Sequence, residues 1–282
     1  MPEQPLQGKV AIVTGAGSTI GFGRAMTLAL VQAGAHVTMM DVDAQSLAQS
    51  ADEAMSIGGA HCVLPVVGDV SEPADADRVV QRTLSELGGL HILVNNAGTN
   101  PRNAGFTGSG ATPFWDVPAQ AWFRVAAVNY IGPVLMASAA VKHMLAQKWG
   151  RIIGVTTSLD TMYAKDNPTY GSSKAGHEAF LASIAQELDG TGVTVNVLVP
   201  GGRANTNLIA RDSPFDRAAM IQPEVMQAPV VWLSSDASNN FHGKRMIAYY
   251  WDEALSLEDR LAKATAPLAW PQLGRQAIHS QT

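Results

Sequence analysis

The chain has 282 residues, 46% hydrophobic and 15% charged, so it can bury a large core, and a single α/β domain of this length is common. A net charge of −5 without a dense Lys/Arg run argues against a surface for nucleic acid or an anionic membrane. The one cysteine, Cys62, excludes an internal disulfide and a cysteine-based zinc site, and seven scattered histidines without a His-x-x-x-His or His-x-His pair predict no metal centre.

Hydropathy along the chain predicts a soluble protein. The N-terminus lacks a basic stretch followed by an apolar run, and we expect no apolar segment of 18 residues anywhere. These features predict a cytoplasmic protein without a membrane segment. Residues 1–8 contain two prolines and no periodic pattern, which indicates a loose lead-in.

The first predicted elements are a strand, a glycine-rich turn and a helix. Residues 10–13 form a short apolar run, typical of a strand buried on both faces, and they lead into the turn at 14–21. Backbone N–H groups at the start of the following helix can hold a phosphate in this arrangement. A second strand over 36–40 ends on Asp41, which suits a carboxylate that binds an adenosine ribose. An aspartate that merely begins a turn is the alternative.

The remaining elements continue the alternation of strands and helices. Helices are predicted at about 44–57, 73–87, 120–147 with an interruption at Gly132-Pro133, and 170–189; strands at 62–67, 90–94, 151–156, 193–199 and 245–249. This order implies right-handed βαβ units. We therefore predict the α/β fold class: a Rossmann-like doubly wound parallel β-sheet of about seven strands with helices on both faces. It forms one domain over 1–282, with a C-terminal extension over 252–282.

Several polar or small residues fall at the ends of predicted strands. Ligands bind across the carboxyl ends of the strands in doubly wound sheets. We therefore expect a single site along one edge of the sheet, lined by Gly15, Asp41, Asp69, Asn96, Thr157 and Pro200.

Tyr170 and Lys174 lie four residues apart and therefore share one face of a predicted helix. A nearby ammonium lowers the pKa of a phenol, because it favours the phenolate form. A phenol with a lowered pKa can act as a general acid or base. Two solvated surface residues are the alternative for an isolated pair.

These motifs follow one another in an order that is typical of a known family. The chain resembles the short-chain dehydrogenases/reductases over nearly its full length, on the motifs Thr14-Gly15…Gly21, Asp69-Val70, Asn95-Asn-Ala-Gly98, Asn129, Tyr170-x-x-x-Lys174 and Pro200-Gly201.

The resemblance implies hydride transfer between NAD(H) and a secondary alcohol or ketone, and a homo-oligomer, either a dimer or a tetramer. Tyr170 would be the general acid/base, Lys174 would lower its pKa and bind the nicotinamide ribose, and Asn129 would hold a water of a proton relay. The residues that it places at the NAD cofactor are Gly15, Ser18, Thr19, Ile20, Gly21, Asp41, Asp69, Val70, Asn96, Ala97, Gly98, Tyr170, Lys174, Pro200, Gly201 and Thr206. Asp41 favours NAD over NADP because it repels a 2′-phosphate; Lys9 and Arg24 are the nearest cations in the sequence.

Three positions depart from the family pattern. Thr19 stands where the family has the middle glycine of the turn, and Thr206 comes one residue late, with Asn205 at the expected place. Counting back from Tyr170 and forward along the preceding strand both place Thr157 at the family's serine position, which makes its hydroxyl the predicted donor to the substrate oxygen. Ser158 is the rival, reached through a one-residue bulge. In a third reading, the hydroxyls of Thr156–Ser158 only cap the strand.

Two other functions remain compatible with these residues. Related folds use the tyrosine and lysine in dehydratases or epimerases. A catalytically silent NAD-binding sensor or scaffold is the second, supported by Thr157 and Thr19. The resemblance implies a small alcohol or carbonyl substrate. Arg102 and Arg203 in the pocket loops are either ligands for a carboxylate or solvated.

Overall fold

The computed structural model describes residues 4–107 and 112–273, and within them the chain forms one eight-stranded sheet. The spatial order is β3-β2-β1-β4-β5-β6-β7-β8, and every neighbouring pair is parallel except β7 and β8. The strands are β1 (Val10–Thr14), β2 (His36–Asp41), β3 (Val63–Val67), β4 (Ile92–Asn95), β5 (Gly150–Val155), β6 (Val193–Val199), β7 (Lys244–Ile247) and β8 (Thr265–Pro267). The predicted doubly wound parallel sheet is confirmed, with one antiparallel strand added at its edge.

Helices cover both faces of this sheet. They are α1 (Phe22–Gln32), α2 (Ala44–Gly58), α3 (Pro73–Leu87), α4 (Ala119–Ala126), α5 (Gly132–Ala146), α6 (Leu159–Met162), α7 (Pro168–Glu187), α8 (Gln227–Ser234) and α9 (Leu257–Ala264). A π-helical turn, Ala127–Ile131, joins α4 to α5. The sequence places the interruption at Gly132-Pro133, directly after this turn.

The two faces of the sheet form two apolar cores. Along β1, Ala11 and Val13 face the core under α1, α2 and α8, whereas Ile12 faces the core under α3, α5 and α7. All five residues of β1 are buried, as expected for a parallel strand covered on both sides. Burying one large aliphatic side chain stabilises the fold by about 1.5–3 kcal/mol relative to leaving it in water. The sheet is therefore a rigid support for the loops at its carboxyl edge.

Helix α3 shows how the sequence pattern produces this packing. Its buried residues follow the i, i+3, i+4, i+7 spacing of one helix face: Ala76, Val79, Val80 and Thr83. The Thr83 hydroxyl bonds the Thr38 hydroxyl of β2 at 2.8 Å, so both buried polar groups are satisfied. The predicted and observed bounds of this helix agree because the pattern is local.

The segment Ala119–Ala146 corrects the expectation that no long apolar segment exists. By length and composition alone it could cross a membrane, with a mean hydropathy of 1.4 over its most apolar window. In the structure 44% of that window is buried. Met136, Ala140 and Met144 pack in the same core as Ile152 of β5. The segment is thus a core helix of the domain.

Both chain ends differ from the predicted picture where they are described. Leu6 lies fully buried, and its backbone N–H donates to the Ala33 carbonyl at 3.0 Å, so the predicted lead-in is packed on the fold at this residue, while its described neighbours at 4, 5, 7 and 8 are exposed. The C-terminal extension contributes α9 and β8, which the sequence did not predict, and residues 274–282 of it lie outside the described chain.

Candidate active site

A cavity of about 910 Å³ opens at the carboxyl ends of the parallel strands, as predicted. Most of the predicted site residues line it: Gly15, Ser18, Ile20, Gly21, Asp41, Asp69, Val70, Asn96, Ala97, Gly98, Thr157, Tyr170, Lys174, Pro200 and Thr206. Four predicted residues do not reach its wall: Thr19, Asn129, Ser158 and Gly201. One continuous space therefore joins the glycine-rich turn to the tyrosine and lysine of α7.

The glycine-rich turn lies directly against the end of β4. Gly15 adopts φ +65°, and a Cβ there would come within 2.8 Å of Ala97 Cα. The side-chain nitrogen of Asn96, Nδ2, donates to the carbonyl oxygens of Thr14 and Gly15 at 2.8 and 3.1 Å. A Cβ on Gly23 would lie 2.2 Å from the Gly15 carbonyl oxygen. Gly23 was missed, although a glycine so soon after the turn is its sequence signal.

The tip of the turn is held by the segment after β6. Asn207 donates from its side chain to Ser18 Oγ at 3.0 Å and from its backbone to the Ile20 carbonyl at 3.0 Å. Thr19, between these two anchored residues, is exposed and does not line the cavity. The turn therefore tolerates a β-branched residue where the family has glycine. Asn207 had no sequence signal, because its partners lie far away along the chain.

Asp41 is fixed by backbone donors at the end of β2. Its carboxylate accepts from the N–H groups of Gly17 at 2.8 Å and Asp43 at 3.1 Å. Lys9 and Arg24, the two cations named from the sequence, form ion pairs with other carboxylates and not with Asp41. Arg24 pairs with Glu53, with Nε to Oε2 at 2.7 Å, and Lys9 lies at the start of β1. The Asp41 carboxylate thus faces the cavity without a neutralising partner among the described residues.

Asp69 meets a cation that the sequence did not indicate. Arg124 of α4 pairs with its carboxylate at 2.7 Å, and Ser71 donates from both backbone and hydroxyl. Burial disfavours the charged carboxylate, but the bonds from Arg124 and Ser71 outweigh it and lower the pKa of Asp69. This wall of the cavity is therefore polar and ordered.

Tyr170 and Lys174 lie on α7, one turn apart, at the inner end of the cavity. Lys174 Nζ donates to the Val155 carbonyl at 2.9 Å and lies 5.9 Å from the centre of the Tyr170 ring. Burial raises the pKa of Tyr170 to about 12 and lowers that of Lys174 to about 8. The sequence predicted that Lys174 lowers the pKa of the Tyr170 phenol. This prediction is wrong in direction, because burial disfavours the charged phenolate and raises the pKa.

Of the three consecutive hydroxyls after β5, those of Thr156 and Ser158 bond other side chains. The Thr156 hydroxyl donates to Glu178 Oε2 at 2.8 Å, and Ser158 Oγ bonds Thr161 Oγ1 at 2.8 Å at the start of α6. Thr157 lines the cavity, and its hydroxyl bonds no other residue that the structure describes. Bonds to other side chains thus engage two of the three hydroxyls and leave Thr157 facing the site.

A buried ion pair fixes this arrangement. Arg245 of β7 contacts Glu178 of α7, and the exposed fractions of their side chains are only 4% and 0%. The same guanidinium donates to the Thr157 carbonyl oxygen. Glu178 in turn holds the Thr156 hydroxyl, so consecutive side chains point in opposite directions. Neither charge was recognised from the sequence, because the two residues lie 67 positions apart along the chain.

Breaking this pair is expected to destabilise the protein strongly. Arg245→Met leaves the Glu178 carboxylate buried without a counter-charge, which costs about 3–5 kcal/mol of unfolding free energy. Urea unfolding followed by circular dichroism measures the loss. Arg82→Met, which breaks the exposed Arg82–Glu86 pair, is the matched control and should cost less than about 1 kcal/mol. Equal losses in the two variants would contradict a special role for the buried pair.

Asn129 lies in the π-helical turn and is fully buried. Its Oδ1 accepts from the Thr99 N–H at 2.8 Å, and its Nδ2 donates to the Thr99 carbonyl and to Ser173 Oγ, both at 2.9 Å. A Cβ on Gly98 would lie 3.4 Å from Lys174 Nζ and 3.6 Å from Asn129 Oδ1. The Asn129 side chain therefore ties the end of β4 to α7 next to Lys174.

Loops from two parts of the chain cover the outer end of the cavity. Arg102 donates to the Leu208 carbonyl at 3.1 Å, and Asn100 donates to the same oxygen at 3.1 Å. The Arg203 guanidinium stacks on the Phe215 ring at 3.5 Å from its centre. Arg102 is thus already bonded to backbone carbonyls, which disfavours the hypothesis that it binds a substrate carboxylate. Arg203 lines the cavity, so the same hypothesis stays open for it.

A doubly wound sheet, a glycine turn at its carboxyl edge and a buried tyrosine–lysine pair define a dinucleotide-binding oxidoreductase. The comparisons with known proteins agree. The short chain dehydrogenase family model matches residues 9–215. A short chain dehydrogenase of Pseudocercospora fijiensis is 35% identical over 216 residues, covering 76% of this chain and 65% of that protein. A short chain dehydrogenase/reductase of Aspergillus oryzae is 30% identical, covering 89% and 96%.

Solved structures show the same fold. A structure from Beutenbergia cavernae, with NADP bound at low occupancy, has a TM-score of 0.75 and 30% identity, covering 87% of this chain and 96% of its own. The chain belongs to the short-chain dehydrogenase/reductase family, whose members are oxidoreductases that use a nicotinamide cofactor and act on small molecules.

Proposed function

We propose that the protein is an NAD-dependent oxidoreductase that interconverts a secondary alcohol and a ketone. One observation carries the proposal: the Tyr170 and Thr157 side chains line one cavity, and their hydroxyls bond no other described residue. Two such donors can converge on one substrate oxygen. The same cavity reaches the glycine-rich turn at Gly15 and Gly21, just before α1, where backbone N–H groups at a helix start can hold a diphosphate.

The roles follow from the placement of the residues. The nicotinamide ring, when bound, gives or takes the hydride. In the direction of ketone reduction, the Tyr170 phenol gives its proton to the carbonyl oxygen while the Thr157 hydroxyl donates a hydrogen bond to that oxygen. A pKa of about 12 keeps the proton on Tyr170 at neutral pH. The Lys174 ammonium, anchored on Val155, offsets the negative charge that develops on the phenol.

The proposal also gives roles to four further predicted site residues: Asn129, Pro200, Gly201 and Thr206. Asn129 lies behind the cavity wall and shares Gly98 as a neighbour with Lys174, and we propose that it holds a water molecule of a proton relay through Lys174. Pro200 and Thr206 line the cavity where the nicotinamide end would bind. A depression of about 510 Å³ adjoins the cavity and shares with it Asn100, Asn167, Leu208, Ile209 and Phe215. The substrate would extend into this depression.

A homo-oligomer in the cytoplasm is also part of the proposal. Along α4 and the π-helical turn, Phe123, Tyr130 and Ile131 are exposed by 74%, 37% and 42%. Large apolar side chains grouped on one surface are typical of a contact between protein chains. Light scattering of the purified protein measures the mass in solution.

Turnover tests the proposed reaction. We expect NADH to form when the protein is mixed with NAD and a panel of secondary alcohols, as followed by absorbance. A sensor or scaffold would bind NAD, detected by calorimetry, without reducing it. A dehydratase or epimerase would convert its substrate without net formation of NADH. Either result would replace the proposed reaction.

Cofactor preference is a separate prediction. The protein is expected to use NAD with a higher kcat/KM than NADP, because the Asp41 carboxylate repels a 2′-phosphate and no cation among the described residues neutralises it. Asp41→Asn should reduce this preference about tenfold or more, equivalent to ~1.4 kcal/mol or more. The control is Asp52→Asn, which removes an exposed carboxylate of α2 outside the cavity. Comparable kcat/KM values for both cofactors in the wild-type protein would contradict the NAD assignment.

A further inference from the structure

Three side chains with metal-binding atoms meet at the amino edge of the sheet, opposite the active-site cavity. His36 is the first residue of β2, and His61 and Cys62 belong to the 3₁₀ turn that leads into β3. One ligand atom of each residue lies within 4.8 Å of the others. The reasoning from sequence predicted no metal centre because it considered local spacing, whereas this cluster arises from strand pairing.

The backbone fixes the positions of the three residues. The His36 N–H donates to the Lys9 carbonyl at 2.9 Å, which sets the start of β2. Gly59 ends α2 with φ +88°, and the Cys62 N–H donates to its carbonyl at 3.1 Å, closing the turn. A Cβ on Gly59 would lie 3.0 Å from the His61 ring. The left-handed φ and this close approach of the His61 ring both favour glycine at position 59.

The chemistry of the cluster selects one class of metal. Two imidazole nitrogens and a thiolate are ligands of Zn²⁺, whereas Mg²⁺ and Ca²⁺ prefer oxygen. The His36 and His61 rings stand nearly perpendicular, at 88°, with their centres 5.9 Å apart. With Zn–N of about 2.0–2.1 Å and Zn–S of about 2.3 Å, tetrahedral ligands lie ~3.5 Å apart. Small side-chain rotations would close the existing separations.

Solvent access leaves room for the metal and a fourth ligand. His61 is exposed, and His36 and Cys62 are half-buried. A metal ion can therefore enter from water without opening the fold. We propose that His36, His61 and Cys62 bind Zn²⁺, with a water molecule as the fourth ligand. The site would link the starts of β2 and β3 at the edge of the sheet opposite Tyr170.

Titration with Co²⁺, a spectroscopic substitute for Zn²⁺, tests the site directly. We expect one equivalent of Co²⁺ to produce the near-ultraviolet absorption of a thiolate–cobalt bond, and Zn²⁺ to abolish it by displacement. Cys62→Ser should lose this absorption. His61→Gln should weaken binding by at least about tenfold, given that even changes beside the ligands of a metal cost 10- to 100-fold in affinity. His143→Gln on α5 removes a histidine elsewhere and should bind as the wild type.

A second measurement covers the case in which a variant folds poorly. In the unaltered protein, Zn²⁺ should slow alkylation of Cys62 by iodoacetamide and raise the melting temperature, because a ligand that binds only the folded state stabilises it. His61 is exposed, so His61→Gln should fold and lose both effects. The proposal is overturned if no thiolate–cobalt absorption develops in the wild type, or if Cys62→Ser or His61→Gln binds Co²⁺ as tightly as His143→Gln.

Discussion

Tyr170→Phe is expected to reduce kcat by at least about 100-fold, within the range typical of a lost general acid/base. The substitution removes only the hydroxyl, which lines the cavity without a partner among the described residues, so the fold should be unchanged. NAD affinity should stay nearly the same, because the hydroxyl acts in the transition state and is not needed to bind the cofactor. Steady-state kinetics and calorimetric titration with NAD separate these two effects.

Two further variants make this experiment decisive. Tyr163→Phe makes the same change on an exposed tyrosine that bonds Asp160, outside the cavity wall, and should retain full activity. Lys174→Ala should damage both kcat and NAD binding, because this ammonium is proposed to reach the ribose as well as the phenol. The general acid/base would have to be another group if Tyr170→Phe kept a tenth or more of the wild-type activity.

The sheet and its main helices could be predicted from the sequence because their signals are local. Strand β6 and helix α3 have the predicted bounds, since an unbroken apolar run and a 3.6-residue period depend only on neighbouring residues. The elements that were missed are short. Helices α8 and α9 have eight residues each, α6 has four and β8 has three, and all of them form because they pack against the rest of the fold.

The position of the site could also be predicted, because parallel strands bring their carboxyl ends to one edge. Asp41, Asn96 and Thr157 lie at the carboxyl ends of three different strands and line the same cavity. What could not be predicted are contacts between residues far apart in the sequence. The ion pairs of Arg124 with Asp69 and of Arg245 with Glu178 are visible only in the structure. The pKa of Tyr170 was predicted in the wrong direction for the same reason, since its burial depends on the whole fold.

The structure sharpens the choice between Thr157 and Ser158 as the donor to the substrate oxygen. Ser158 Oγ bonds Thr161 and lies outside the cavity wall, whereas Thr157 lines the cavity. A bulge that turned Ser158 inward would have to detach the Thr157 carbonyl from Arg245. The Thr156 hydroxyl is bound to Glu178 and cannot take the role. These contacts support Thr157 as the donor.

Thr157→Val is therefore expected to reduce kcat about 100- to 1000-fold, the usual effect of removing one preorganised donor to a developing oxyanion. Valine keeps the shape and the burial of threonine, so an unchanged melting temperature would show that the hydroxyl itself is responsible. Ser158→Ala removes only the bond to Thr161 at the start of α6 and should reduce kcat less than about tenfold. The reverse pattern would assign the role to Ser158. Small effects in both variants would leave Tyr170 as the only protein group on the substrate oxygen.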